Sequence, residues 1–121
     1  MTDNTVPRVR AGEIDTNTTP TIDVRRHPGK EQIRGALRYD PKALLTGEPL
    51  ALPFAHDGRI VVYGDDEDEA VRIASRLRQE GFVNAAILEG GFDAYRSAGL
   101  LVEEITQQQP VPGTESGIPR V

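Results

Sequence analysis

Cysteine is absent from this sequence of 121 residues, tryptophan is absent too, and aromatic residues make up only 5%. Without a thiol the chain can form no disulfide, bind no metal through thiolate ligands and carry out no thiol-based catalysis. Basic residues are in the minority, with 14 Lys and Arg against 19 Asp and Glu and a net charge of −5. A nucleic-acid-binding protein is expected to show the opposite balance, so we expect no nucleic-acid partner.

Long apolar stretches are missing as well, since no run approaches the ~20 residues that a membrane-spanning helix needs. Met1–Thr5 lacks the features of a signal peptide. We therefore expect no membrane association and a cytoplasmic location. The length fits one globular domain. Because the two ends are poor in core-forming residues, we expect a flexible N-terminus at 1–5, the domain at 6–106 and a disordered C-terminal tail at 107–121.

Between these ends, β-favouring runs alternate with segments of helical periodicity. The predicted strands are Thr21–Arg25, Gly35–Tyr39, Arg59–Tyr63, Ala85–Leu88 and Leu101–Ile105. The predicted helices are Lys42–Leu45, the run from Ala70 to a capping Gly81, and Phe92–Ala98. Strands separated by helices are typical of an α/β domain with a mainly parallel sheet. Ligands bind such sheets beyond the carboxyl ends of the strands, which points to the loop from Tyr63 to Ala70.

The stretch from Arg59 to Leu100 resembles the second half of a rhodanese domain. The matching positions are Tyr63, Leu77, Gly81, Phe82, Leu88, Gly90, Gly91, Ala94, Tyr95, Ala98, Gly99 and Leu100. Upstream, Ile22–Arg25 resembles the family's Asp-Val-Arg strand. Ile33–Ala36 resembles its His-Ile-Pro-Gly-Ala turn, with Gln32 and Arg34 in place of His and Pro. The resemblance implies a single rhodanese-like α/β domain whose mainly parallel central sheet is flanked by helices.

The sequence departs from the family at its chemical centre. Rhodaneses, among them thiosulfate sulfurtransferases, carry sulfur as a persulfide on a cysteine that begins the active-site loop, and Gly64 stands at that position here. The rest of the family loop cradles an anion, whereas here five carboxylates follow Gly64, namely Asp65, Asp66, Glu67, Asp68 and Glu69. Both changes disfavour sulfur transfer from an anionic donor, so the sequence favours a protein that is not an enzyme.

Three interpretations of the acidic loop remain open. One or two of Asp65, Asp66 and Glu67 would cap the helix that follows, because carboxylates stabilise a helix N-terminus. The whole loop would form a recognition surface for a basic partner. Clustered oxygens would also suit a divalent cation, although the spacing is not that of an EF-hand. Arg25 and Arg26 end a predicted parallel strand, so an ion pair between one of them and the loop is expected. The alternative is a two-faced charge pattern that mediates self-association.

These observations favour a non-catalytic protein-binding or regulatory module whose contact surface is Gly64–Glu69. The alternative is an accessory component of a sulfur-trafficking pathway, or a cation-dependent activity at the acidic loop. No catalytic residue, metal ligand or cofactor is assigned, and the expected partner is a protein with a basic surface. His27 and His56 are expected to be surface residues, and Tyr95 is expected to pack in the core with its hydroxyl at the surface.

Overall fold

The computed structural model describes residues 6–45 and 52–105. The predicted flexible N-terminus at 1–5 and the predicted tail at 107–121 lie outside the described residues. The strands are β1 (Arg8–Val9), β2 (Thr21–Asp23), β3 (Glu31–Ile33), β4 (Leu37–Arg38), β5 (Ile60–Tyr63), β6 (Ala85–Leu88) and β7 (Val102–Glu104). The helices are α1 (Pro41–Leu44), α2 (Glu67–Gln79) and α3 (Gly91–Ser97), with a 3-10 helix at Ala11–Glu13.

Five strands form one sheet in the order β1-β6-β5-β2-β4, and every pair in it is parallel. A second, two-stranded sheet pairs β3 with β7 in antiparallel register. The central strands β5 and β6 are buried along their whole length, as expected for strands covered on both faces. The predicted α/β domain with a mainly parallel sheet flanked by helices is confirmed.

Two hydrophobic clusters lie on the two faces of the sheet. On one face α2 packs Ala70, Ile73, Ala74 and Leu77 against alternate residues of β2, β5 and β6. On the other face Tyr95 of α3 packs with residues of the 3-10 helix, β3 and the intervening positions of β5 and β6. This alternation follows from the two-residue period of a strand. None of the helices within the described ranges has the length and apolar character of a membrane span.

The helix ends follow local sequence signals. Asp40 caps α1 by accepting a hydrogen bond from Lys42 N at 2.9 Å, and Pro41 occupies the first helical position. Gly81 follows α2 with a φ of +104°, a left-handed conformation that favours glycine. Phe82 N then donates to Leu77 O at 2.9 Å, and the Phe82 ring is buried.

Two short strands have no strong sequence signal, and the last predicted strand has an unexpected partner. β1 has only two residues and is held by its pairing with β6. β3 begins with the polar pair Glu31 and Gln32, so its strand conformation depends on pairing with β7. The strand predicted at Leu101–Ile105 therefore lies outside the central sheet. The strand predicted at Gly35–Tyr39 is shortened to Leu37–Arg38.

Candidate functional site

The loop between β5 and α2 lies at the carboxyl edge of the central sheet. It begins at Gly64, whose main chain packs against the end of β2. A Cβ atom built on Gly64 would lie 2.9 Å from Cγ2 of Val24, closer than real Cβ contacts allow. Val24 is fully buried. The φ of Gly64 is outside the left-handed region, so space, not backbone conformation, restricts this position.

Asp65 turns away from its own helix and towards the segment that follows β2. Its Oδ2 accepts hydrogen bonds from the backbone nitrogens of Arg26, at 2.7 Å, and His27, at 3.1 Å. A charged acceptor strengthens both bonds. Asp65 therefore fixes the loop to the chain beyond β2.

Asp66 is the N-cap of α2. Its Oδ1 accepts a hydrogen bond from Asp68 N at 3.0 Å, and its backbone is extended as a cap requires. The prediction that one or two carboxylates cap the helix is confirmed for Asp66. Glu67 instead forms an exposed ion pair with Arg8, with Nε and Oε2 3.0 Å apart. Asp68 is exposed.

Glu69, the last of the five carboxylates, is buried and forms a two-point ion pair with Arg26. Arg26 Nη1 and Nη2 donate to its two carboxylate oxygens at 2.9 and 2.6 Å. The Glu69 side chain is 7% exposed and that of Arg26 is 45% exposed. This hydrogen bond raises the pKa of Arg26. The predicted ion pair between the end of β2 and the acidic loop is confirmed, with Arg26 as the partner.

Arg25 belongs to a separate buried network that sequence reasoning missed. Its Nη2 donates at 2.7 Å both to Oδ2 of Asp23 and to the carbonyl of Glu31. Burial opposes the charge of Arg25, but the hydrogen bond and the charge of Asp23 outweigh it and raise the pKa. The guanidinium lies 4.3 Å from the ring centroid of Phe92, a cation–π distance.

Tyr63 joins the same network from the end of β5. Its hydroxyl donates to Asp23 Oδ2 at 3.2 Å and accepts from Ile33 N at 3.1 Å. Burial, followed by the nearby charge of Asp23, raises the pKa of Tyr63. The sequence signal that could have revealed this network was Asp23, because a carboxylate inside an otherwise apolar strand needs buried partners.

An open cavity of ≈ 790 Å³ lies in front of the loop at the carboxyl edge. Its lining includes Arg25, His27, Lys30 and Arg96 as well as Glu31, Asp65, Asp93 and Glu104. His27 therefore lies beside the site. Tyr95, in contrast, is 1% exposed and its hydroxyl donates to Leu101 O at 2.6 Å. The prediction that this hydroxyl lies at the surface is wrong, because the chain leading into β7 covers it.

The loop carboxylates do not converge on one point. Asp65 binds the backbone of Arg26 and His27, Glu69 binds the side chain of Arg26, and Glu67 pairs with Arg8 on β1. Among the side chains described, no group of three or more His, Cys, Asp or Glu is arranged to hold a metal ion. The arrangement instead anchors the loop and exposes the first turn of α2.

A parallel five-stranded sheet with a loop and an open cavity at its carboxyl edge is the arrangement in which α/β proteins bind ligands. The chain belongs to the Rhodanese-like domain family, whose match covers residues 9–98. A protein of Synechococcus elongatus named "Putative thiosulfate sulfurtransferase" is 31% identical over 110 residues. That similarity covers 80% of this chain and 33% of the relative, so the chain spans about a third of the relative's length.

Solved structures show the same fold. The Alr3790 protein from Anabaena superimposes with a TM-score of 0.65 at 22% identity, with 81% of each chain covered. The 3-mercaptopyruvate sulfotransferase SseA from Escherichia coli gives a TM-score of 0.64 at 25% identity. The superposition covers 88% of this chain and 53% of SseA. The chain is therefore a rhodanese-like domain related to sulfurtransferases, and it contains no cysteine.

Proposed function

We propose that this chain is a non-catalytic rhodanese-like domain that acts as a protein-binding or regulatory module through its former active-site loop, Gly64–Glu69. The observation that carries the proposal is the absence of a side chain at Gly64. This position, which holds the nucleophile in the family, has no side chain here, and Val24 lies where a Cβ would need space. The sequence contains no thiol that could carry a persulfide.

The exposed first turn of α2 supports a binding role. Asp66, Glu67 and Asp68 are exposed beside one another, while Asp65 and Glu69 hold the loop in place through Arg26 and His27. A fixed group of like charges attracts a partner of opposite charge and aligns it on approach. A protein with a basic surface is therefore the expected partner.

The test is capture of partners from a native cell extract by the immobilised protein and by two double variants. Glu67→Gln with Asp68→Asn removes two of the three exposed charges and leaves Asp65, Asp66 and Glu69, whose hydrogen bonds hold the loop. The matched control is Asp57→Asn with Glu80→Gln, which removes the same charges at the opposite end of the sheet. Asp57 lies before β5, and Glu80 is the C-cap residue that follows α2.

We expect a partner that the wild-type protein and the control retain and that the loop variant loses. Capture should weaken as salt is raised, because the contact is electrostatic. Equal capture by all three proteins would place the contact surface elsewhere. Absence of any captured partner would leave the loop with the single role of capping and anchoring α2.

A second candidate is an accessory role in a sulfur-trafficking pathway, favoured by the similarity to the Synechococcus elongatus protein. In that role the loop would contact another protein that carries the persulfide. The same capture separates the candidates, because an accessory protein would retain a sulfurtransferase whose bound sulfur is released by a thiol reductant.

A further inference from the structure

A second cavity lies along the β1 edge of the central sheet and is surrounded by arginines. It has a volume of ≈ 370 Å³ and is lined by Arg8, Arg59 and Arg78 together with Asn84. Val9 and Ala86, both buried, also contact it. None of its described lining residues also lines the large cavity at the former active-site loop. We name it the arginine groove.

Three separate elements contribute these arginines to the lining of the groove. Arg59 immediately precedes β5 and Arg78 lies in the last turn of α2, so both lie near the amino edge of the sheet. Arg8 of β1 also lines the groove, but its Nε is paired with Glu67 at the N-terminal end of α2. This concentration of positive charge contrasts with a net charge of −5 for the whole chain.

Arg59 and Arg78 both have guanidinium donors that no residue described by the structure uses, whereas Arg8 is paired with Glu67. Arg59 is exposed and forms no side-chain hydrogen bond or ion pair within those residues. Arg78 donates from Nη1 to Ala85 O at 3.2 Å, which orients its fork and leaves its other donors available. The one carboxylate in the lining, Glu13, accepts a hydrogen bond from Arg10 N at 2.9 Å.

We propose that the arginine groove binds a phosphate group, as a free oxyanion or as a phosphate monoester. The planar fork of arginine matches phosphate oxygens in two-point hydrogen bonds. Two forks from separate elements, those of Arg59 and Arg78, can bind different oxygens of a tetrahedral oxyanion, which presents oxygens in several directions. Asn84 adds a neutral polar group at the rim, with its Nδ2 held by Asp57 O at 2.6 Å.

The test is a nuclear magnetic resonance titration of the whole chain with inorganic phosphate, pyrophosphate and N-acetyl-phosphoserine. Sodium chloride at matched ionic strength is the reference. We expect saturable shifts of the Arg59 and Arg78 Nε–H signals and of the Asn84 amide with phosphate-containing probes and not with chloride. Saturation by inorganic phosphate or pyrophosphate alone would identify a free anion as the ligand. Saturation by phosphoserine would identify a phosphorylated side chain.

Arg59→Gln is the decisive variant, because Arg59 has no described contact on which folding depends. It should weaken binding about tenfold or more, as expected for a hydrogen bond to a charged group. Arg59→Lys should weaken it less, since it keeps the charge and loses the fork. The matched control is Arg72→Gln on the exposed face of α2, which should bind like the wild type.

Either of two results would overturn the proposal. One is the absence of saturable binding beyond the chloride reference. The other is equal weakening by Arg59→Gln and Arg72→Gln, which would assign the effect to net charge and not to the groove.

Discussion

At Gly64, a single missing side chain changes both the chemistry and the packing of the site. Val24 Cγ2 lies 2.9 Å from the position that a Cβ would take, and Val24 is buried in the core under α2. A β-branched side chain has few alternative rotamers, so Val24 cannot simply turn away. Restoring a cysteine here would therefore require the core to move as well.

Gly64→Cys is expected to leave the protein with little sulfurtransferase activity. The wild-type chain should show no protein-dependent transfer of sulfur from thiosulfate to cyanide, and the variant should remain far below the rates of active rhodaneses. The neighbouring carboxylates disfavour a thiolate and repel the anionic donor, so the thiol pKa should lie above the usual value of about 8.5. Thiolate absorbance as a function of pH and thiocyanate formation measure the two effects.

The packing part of this prediction is tested with Gly64→Ala, which adds only the Cβ. Overpacking should lower the free energy of unfolding by about 1–3 kcal/mol. With Val24→Ala in the background, the same substitution should cost clearly less, giving a favourable coupling between the two sites. Additive losses, or a Gly64→Cys variant with an ordinary thiolate pKa and high turnover, would contradict this account of the site.

At the scale of the secondary-structure element, the loop into α2 and the first turn of that helix show how four neighbouring carboxylates acquire different roles. Asp66 caps the helix, Asp65 bonds to the chain after β2, Glu67 pairs with β1 and Glu69 is buried against Arg26. Only the capping role depends on local backbone geometry. The other roles depend on which distant segment the fold brings within reach.

Replacing Asp66 separates capping from charge. Asp66→Ala should lower the free energy of unfolding by about 1 kcal/mol, because the N–H of Asp68 loses its acceptor. Asp66→Asn should stay close to the wild type, since asparagine is an equally good cap. The comparison is made by urea unfolding, with Asp68→Asn as a matched loss of charge in the same turn. A loss of stability in Asp66→Asn as large as in Asp66→Ala would assign the effect to charge.

The strong local signals of the sequence correctly placed β5, β6, α2 and its glycine cap. The capping of α2 and the ion pair from the end of β2 to the loop were also predictable from strand and helix ends. That Arg26 and not Arg25 forms this ion pair was not predictable, because Arg25 is already paired with the buried carboxylate of Asp23. β1 and β3 were missed for a similar reason, since tertiary pairing creates them.

At the scale of the whole molecule, Tyr63 connects the two sheets. Its hydroxyl bonds to Asp23 in the central sheet and to the backbone of Ile33 in the β3–β7 sheet. This contact is buried, so no water can replace either partner. The small sheet, which carries Glu31 and Glu104 at the rim of the large cavity, is thereby held against the large one.

This connection predicts a loss of stability at alkaline pH. Burial raises the pKa of Tyr63 above its ordinary value of 10.0, so the folded state retains a proton that the unfolded chain releases. The contribution of Tyr63 to the free energy of unfolding is fully present below about pH 10 and is lost as the pH rises towards the folded-state pKa of Tyr63. Tyr63→Phe should be less stable at neutral pH by about 1–3 kcal/mol, because Ile33 N loses its acceptor. Above pH 10 its free energy of unfolding should fall less steeply than that of the wild type, by up to about 1.4 kcal/mol per pH unit. Urea unfolding at a series of pH values measures both slopes. Parallel curves for the two proteins would contradict the prediction, because they would show that folding does not raise the pKa of Tyr63.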